Sequence, residues 1–212
     1  MPQGGMGGGP REMQSSSDVV TADFLLTKES KTFSNVSSVV NNAVFTDVAK
    51  DKWYYQAVTS AASQGVLKGA TETTFAPFAA MTRGEALEAV YAMAGKPAAG
   101  ETSFADVKDD ASYYAAAAWA EKNGILTDIA EDTLAADTKV TREELVQMLY
   151  NYLGGEYEGT MPAFKDAAKV TAENAVAWAV EEGIVSGKQE TVRPLDYVTK
   201  AEAATMLVNA NK

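Results

Sequence analysis

The chain of 212 residues repeats one unit three times, and this periodicity constrains its fold more than any other feature. Each unit carries a Phe-x-Asp motif, then a glycine followed by two aliphatic residues, then a Thr-x-x-Glu motif. Because a unit of this kind cannot bury its apolar faces alone, we expect the three units to pack as a single body. The markers stand at Phe45, Phe104 and Phe164, at Gly65, Gly124 and Gly183, and at Thr82, Thr141 and Thr199.

The stretch between the first two markers predicts an α-helix in each unit. Ala-rich runs such as YYAAAAWAEKN combine strong helix formers with apolar residues at helical spacing. The glycine that follows suits the left-handed position beyond a helix end. We expect the three phenylalanines in the core and the three aspartates that follow them to bond N–H groups of the local turn, with ligand contact as the alternative. These aspartates are Asp47, Asp106 and Asp166.

The threonine marker predicts the start of a second helix in each unit. In a capping box the threonine side chain accepts a bond from the N–H at the glutamate position, and the glutamate accepts one from the threonine N–H. Apolar residues then recur at the spacing of one helical stripe. The predicted fold is therefore all-α, with three helix-loop-helix units. The expected capping residues are Thr82 and Glu85, Thr141 and Glu144, and Thr199 and Glu202.

The amino-acid composition excludes several classes of catalytic and metal site and argues against some partners. The absence of cysteine and histidine removes disulfides, thiolate nucleophiles, imidazole metal sites and Ser-His-Asp triads. A net charge of -11, from 18 basic and 29 acidic residues, argues against a nucleic-acid partner. No stretch approaches the roughly 20 apolar residues of a membrane-spanning helix. The aspartates of segment 106–110 lack the spacing of a calcium loop, so we expect neither a metal nor a cofactor.

The full order of motifs resembles the S-layer homology repeat: Phe-x-Asp-Val, an Ala-rich helix ending in Gly-Ile or Gly-Val, Phe-x-Pro, and Thr-Arg-x-Glu. Residues 45–212 are similar to a complete domain of three such repeats. The resemblance implies a pseudo-threefold body with a central helical bundle and a groove between neighbouring repeats. It also implies non-catalytic attachment of an extracellular surface protein to the cell wall. The implied partner is a secondary cell-wall polysaccharide, which often carries pyruvate ketals.

The resemblance further implies that the basic residue after each marker threonine helps to bind the polymer. These residues are Arg83, Arg142 and Lys200. Each is the first residue of its helix, beside N–H groups that lack helical partners, where a carboxylate could bind. Since the caps do not need the arginines, we expect Arg83→Ala and Arg142→Ala to fold while wall binding falls. The family also uses a glycine for close approach to the sugar, here Gly69 and Gly187.

The repeats depart from the family pattern in ways that predict unequal grooves. Asp128 replaces the sugar-approach glycine in the second repeat, and Lys200 lacks the bidentate fork of arginine. Two tryptophans stand five residues before their glycines, and two roles are open for them. Trp119 and Trp178 could stack on sugar rings or pack between repeats.

The domain organisation follows from these spacings and from composition. Residues 1–17 are rich in Gly and Ser and predict a flexible linker, while residues 18–44 are a linker or a segment preceding the domain. The predicted repeats are 45–100, 101–160 and 161–212. We expect the chain to continue a larger surface protein upstream.

Two other functions stay open at this point. The chain could be the anchor region of a self-assembling surface-layer protein. It could also be a carboxylate-based glycosidase, which would require two acids converging in a cleft. The recurrent glutamates are explained as helix caps, which disfavours the glycosidase.

Overall fold

A computed structural model describes residues 45–186 and 190–212 of the protein. The predicted linker 1–17, the segment 18–44 and the candidate site residue Gly187 lie outside the described residues.

Six α-helices and one short 3-10 helix make up the regular structure of the described residues, which contain no β-strand. This confirms the predicted all-α class. The helices are α1 (Tyr55–Ser63), α2 (Arg83–Met93), α3 (Tyr114–Lys122), α4 (Arg142–Leu153), α5 (Glu173–Glu181) and α6 (Lys200–Ala210), and the 3-10 helix is Ala167–Lys169. The first repeat supplies α1 and α2, the second supplies α3 and α4, and the third supplies α5 and α6.

The first helix of each repeat ends at the glycine that the sequence indicated. Gly65, Gly124 and Gly183 have left-handed backbones, with φ of 69°, 69° and 67°. In the second repeat the N–H of the next residue, Ile125, donates to the Ala120 carbonyl at 2.9 Å, which is the long bond of a Schellman motif. Because glycine adopts this backbone without strain, it ends the helix and redirects the chain toward the second helix.

The second helix of each repeat begins with a reciprocal cap. In α4 the Glu144 N–H donates to Thr141 Oγ1 at 3.2 Å, and the Thr141 N–H donates to Glu144 Oε2 at 2.8 Å. The same capping box is present at the starts of α2 and α6. The cap satisfies the third N–H group of each helix from within its own repeat.

A closed cycle of three backbone hydrogen bonds joins the repeats just before these caps. The Met81 N–H donates to the Val198 carbonyl at 3.0 Å, and the Val198 N–H donates to the Val140 carbonyl at 3.0 Å. The Val140 N–H donates back to the Met81 carbonyl at 3.1 Å. All three side chains are buried, so the cycle lies in the interior.

The first two N–H groups of each second helix are bonded by the loop of the following repeat. In α2 the Arg83 N–H donates to the Thr138 carbonyl at 2.8 Å, and the Gly84 N–H donates to the Ala136 carbonyl at 2.9 Å. The loop of the third repeat does the same for α4, and the loop of the first repeat does it for α6. The expectation of unpaired N–H groups at these helix starts was therefore wrong, because the neighbouring repeat supplies the acceptors.

Helix packing follows the same order. The first helix of each repeat packs against the second helix of the preceding one: α3 on α2, α5 on α4, and α1 on α6. The pairing of α1 with α6 connects the first repeat to the third. The α4 helix also contacts α2 and α6, so second helices meet around a common core. Fully buried core side chains include Leu87, Leu145, Leu149 and Leu207.

The three marker aspartates accept their own backbone N–H, as a local bond, and in addition bond a distant loop that we did not expect. Asp106 accepts the N–H of Leu134 at 2.8 Å and the N–H of Ala135 at 2.7 Å. Ala135 has a φ of 50°, a left-handed backbone. Two adjacent N–H groups of this loop thus bind one carboxylate. Asp47 and Asp166 make the equivalent pair of bonds in their own repeats.

We predict that Asp106→Ala destabilises the fold by about 1–2 kcal/mol, because two charge-assisted hydrogen bonds to a strained loop are lost. The free energy of unfolding, measured by urea titration, checks this. Asp110→Asn is the matched control, since it alters an exposed aspartate in the same segment for which the structure gives no side-chain hydrogen bond. Equal stability of the Asp106→Ala variant and the wild type would show that these two hydrogen bonds do not stabilise the fold.

The marker aspartates also predict how stability depends on pH. Burial alone would raise the pKa of Asp106, but the N–H donors of Leu134 and Ala135 outweigh burial and hold this pKa below its ordinary value of 3.8. The pKa values of Asp47 and Asp166 are lowered in the same way. A lowered native pKa stabilises the fold above the unfolded value of 3.8, and this stability is lost as the pH falls through the native pKa. Acid titration of the wild type should show this loss, and Asp106→Ala should show a smaller one.

Candidate functional site

A cavity, called the large cavity below, lies between α2 of the first repeat and the start of the second repeat. Its volume is about 410 Å³, which is within the range of small-molecule sites. The loop after α1, including Gly69, and the side chain of Tyr91 form part of its wall. Its charged lining residues are Lys68, Lys96, Lys200, Glu85 and Glu88.

Lys200 is the motif cation that lines this cavity. Its ammonium donates to the Lys68 carbonyl at 2.8 Å and lies 4.7 Å from the centre of the Phe75 ring. No carboxylate in the described parts of the chain forms an ion pair with it. Burial lowers the pKa of Lys200, and the charges of Glu85 and Asp47 oppose this shift. The residue is only 8% exposed, so it is a largely buried cation beside an open cavity.

Arg83 is held between the first two repeats. Its Nη2 forms an ion pair with Glu144 at 2.5 Å, and its Nη1 donates to the Leu134 carbonyl at 2.7 Å. Glu144 is also the capping residue of α4. A single carboxylate therefore caps its own helix and neutralises the arginine of the preceding repeat.

Arg142 makes the equivalent contacts between the second and third repeats. Its Nη1 pairs with Glu202 at 3.1 Å, and its Nε donates to the Val192 carbonyl at 3.1 Å. Burial lowers the pKa of Arg142, while the charge of Glu202 opposes this. Arg193 also bonds Glu202, so two guanidinium groups share one carboxylate. The structure thus places both motif arginines in contacts between repeats and only Lys200 on the large cavity.

Gly69 lies on the cavity wall, but its own loop also requires glycine. A Cβ at this position would lie 2.4 Å from the Thr71 carbonyl oxygen and 2.7 Å from the Phe45 ring. In the second repeat Asp128 has a φ of 64°, so the corresponding loop follows a different path.

The two candidate tryptophans pack between helices. Trp119 is 7% exposed and Trp178 is 8% exposed. The Trp119 ring centre lies 5.4 Å from that of Tyr91 and 5.8 Å from that of Tyr152, while Trp178 lies 5.5 Å from Tyr150. With so little exposed ring surface, neither indole presents a face to a sugar. Of the two roles left open, this packing supports a place between helices, while sugar stacking by these residues stays a prediction.

The three spaces between repeats differ greatly in size. The space between α1 and α6 holds a cavity of about 110 Å³, and that between α4 and α5 holds one of about 10 Å³. At the smallest of these cavities, the buried Glu143 of α4 joins the second repeat to the third. Its carboxylate accepts the Thr171 N–H at 3.0 Å and the Thr171 hydroxyl at 2.7 Å.

The sequence matches the S-layer homology domain family over residues 44–87, 103–146 and 163–204. The chain belongs to this family. The three matched segments contain the three marker motifs and the starts of α2, α4 and α6. Membership places the protein at the bacterial cell surface. No helix within residues 45–186 and 190–212 is long and apolar enough to span a bilayer.

Three relatives match most of this chain over a small part of their own length. The surface-layer 125 kDa protein of Lysinibacillus sphaericus is 31% identical over 159 residues, which are 74% of this chain and 14% of that protein. Exoglucanase XynX of Acetivibrio thermocellus is 29% identical over 81% of this chain and 16% of its own length. An amylopullulanase of Thermoanaerobacterium thermosulfurigenes is 29% identical over 82% of this chain and 10% of its own length. The chain therefore spans only a small part of these relatives.

Sequence reasoning missed three charged residues on the large cavity of this S-layer homology domain. Lys68, Glu88 and Lys96 are not part of the repeating markers; the second repeat has Thr127 where the first has Lys68. A search that weighs only repeated positions gives no signal for them. Their place on the cavity depends on how α2 packs against the second repeat.

We predict that Arg142→Gln destabilises this S-layer homology domain, which reverses the expectation that loss of the arginine leaves the fold intact. Breaking a buried ion pair typically costs about 3–5 kcal/mol, and the remaining Arg193 contact to Glu202 should reduce this to about 2–3 kcal/mol. Thermal and urea unfolding measure the effect. Lys108→Gln removes an exposed positive charge and should change stability by less than about 0.5 kcal/mol. A variant as stable as this control would show that the pair does not hold the repeats together.

Proposed function

We propose that the chain is a non-catalytic cell-wall anchoring module that binds an anionic secondary cell-wall polysaccharide in the cavity between α2 and the second repeat. The observation that carries this proposal is the environment of Lys200. Its ammonium is largely buried, has no ion-pair partner among the described residues, and lines a cavity of about 410 Å³. An acidic group of the ligand would supply the missing counter-charge.

Electrostatics favours an anion at this position. Burying a charge is costly unless it is paired, and a carbonyl contact compensates an ammonium only in part. The two equivalent arginines already have carboxylate partners, so they have less to gain from a ligand. A carboxylate, such as that of a pyruvate ketal, could form a charge-assisted hydrogen bond with Lys200. In this proposal Arg83 and Arg142 support binding indirectly, by holding the repeats in place.

The relatives support a module that serves different proteins. A surface-layer protein and two proteins named as polysaccharide-degrading enzymes share this region, although it is at most 16% of their length. Attachment to a common wall polymer is a task that such proteins could share. We therefore propose that the chain is covalently continuous with a larger surface protein.

The acids on the cavity support a binding role over hydrolysis. Glu85 and Glu88 both come from α2, three residues apart, so they lie on one face of one helix. Glycosidases instead use two carboxyl groups that flank the scissile bond. Glu85 also accepts the Thr82 N–H at 2.7 Å as part of the helix cap.

The second candidate function is the anchor region of a self-assembling surface-layer protein. The similarity to the surface-layer 125 kDa protein favours it. Electron microscopy of the parent protein on wall fragments distinguishes the two, since only a lattice protein forms ordered two-dimensional arrays.

We predict that the purified chain sediments with intact wall sacculi and not with sacculi stripped of their secondary polysaccharide. Equal binding to both preparations would refute the proposal. Added salt should weaken binding, because screening acts on an ionic contact.

Within this assay Lys200→Gln should weaken binding about tenfold, since a charge-assisted hydrogen bond contributes about 1.5–3 kcal/mol. Lys200→Arg keeps the charge and should retain more affinity than Lys200→Gln. Unfolding curves for both variants separate lost binding from lost structure. A folded Lys200→Gln variant with wild-type affinity would remove Lys200 from the site.

A further inference from the structure

We infer that Lys68 and Lys96 form a second cation subsite in the large cavity, which binds a second acidic group of the same polymer. The chain would then prefer a polysaccharide with acidic groups on several sugars over one with isolated charges. This inference rests on the proposed function, and it adds two residues that lie outside the repeating motifs.

Both lysines are free to meet a ligand. They are exposed, they line the cavity, and neither ammonium has an ion pair or side-chain hydrogen bond within the described ranges. Lys68 is also joined to the motif cation, because its carbonyl accepts the Lys200 ammonium at 2.8 Å. A shift of the Lys68 backbone on ligand binding would therefore change the hydrogen bond of the Lys200 ammonium.

The backbone of Lys96 is held in an unfavourable conformation beside the cavity. Its φ is 52°, in the left-handed region that costs a non-glycine residue about 1–2 kcal/mol. Its next neighbour is Pro97, which restricts the backbone of the preceding residue further. Gly95 already has a φ of 76°, so ending α2 does not require a second left-handed residue.

The cavity wall itself holds this conformation. The Lys96 N–H donates to the Tyr91 carbonyl at 3.0 Å, which is the long Schellman bond at the end of α2. The Tyr91 hydroxyl donates to the Pro97 carbonyl at 2.6 Å and fixes the residue after Lys96. Tyr91 is in turn packed against Trp119, with ring centres 5.4 Å apart. Strain that is maintained by the surroundings is typical of positions where a side chain must be presented to a ligand.

The two lysines also set the sign of the local charge. Three lysines and two glutamates line the cavity, which gives an excess of one positive charge in a chain whose net charge is -11. Without Lys68 and Lys96 the same lining would carry one lysine and two glutamates. An acidic polymer would then meet a net negative cavity despite Lys200.

The test uses the polysaccharide released from sacculi, with the dissociation constant measured by calorimetry at low and at high salt. Lys68→Gln/Lys96→Gln should bind about tenfold more weakly, with a shallower salt dependence, because two partly exposed ionic contacts are lost. The matched control is Lys108→Gln/Lys122→Gln, which removes two exposed lysines outside the cavity and should bind like the wild type.

Amidation of the polymer's carboxyl groups should abolish the difference in affinity between the wild type and the cavity variant. A difference that persists identifies phosphate as the acidic group.

A separate comparison distinguishes recognition by Lys96 from a structural role. Lys96→Gly relieves the strained backbone and should raise the melting temperature while binding weakens; unchanged binding by this variant would assign Lys96 to structure alone and overturn the inference. If the wild type binds the polymer and the double cavity variant binds equally well, this inference fails and the proposed function stands. If the wild type does not bind at all, both fail.

Discussion

The cycle of hydrogen bonds through Met81, Val140 and Val198 is the contact on which the rest of the structure depends. Each member donates to one repeat and accepts from another, so no pair of repeats can complete the cycle. Hydrogen bonds between repeats continue beyond the cycle, because the first two N–H groups of each second helix donate to carbonyls of the next repeat. Buried N–H groups without acceptors are costly, and a single repeat would leave several of them unpaired. Each second helix therefore needs the following repeat to pair its first two N–H groups, and the cycle needs all three copies.

This exchange also explains why the motif cations differ. Once the neighbouring loop has bonded the helix-start N–H groups, little of the helix start is left to attract a ligand anion. Arg83 and Arg142 reach across to the capping glutamate of the next repeat and neutralise it. Lys200 forms no such ion pair with Glu85 and bonds the Lys68 carbonyl instead. The replacement of arginine by lysine in one repeat thus leaves one buried cation without an ion-pair partner among the described residues, and this cation lines the large cavity.

Local signals made the fold readable from the sequence, whereas the partners of many side chains depend on distant chain segments. Gly124 and the Thr141 cap act within a few residues, so spacing alone predicts where α3 ends and α4 begins. The partners of Asp106 lie 28 and 29 residues further along, at a loop whose left-handed residue is an alanine and gives no turn signal. Trp119 fits a sugar site or a helix interface equally well in sequence, and only its packing separates them. Lys96 has no counterpart among the repeated markers, so periodicity cannot reveal it.

The departures from exact repetition make the interfaces between the repeats unequal. At the position after the motif cation the second repeat has Glu143, whose carboxylate fastens α4 to the start of the third repeat. The first repeat has Gly84 there, which lies against Tyr113 and offers no side chain to make such a contact. The third repeat has Ala201 there, so two of the three interfaces lack this clamp. The large cavity lies at the interface of the first two repeats, and Lys200 reaches it from the third repeat. In the function proposed above, the interface clamped by Glu143 keeps the repeats in place while the cavity lined by Lys200 binds the acidic polymer.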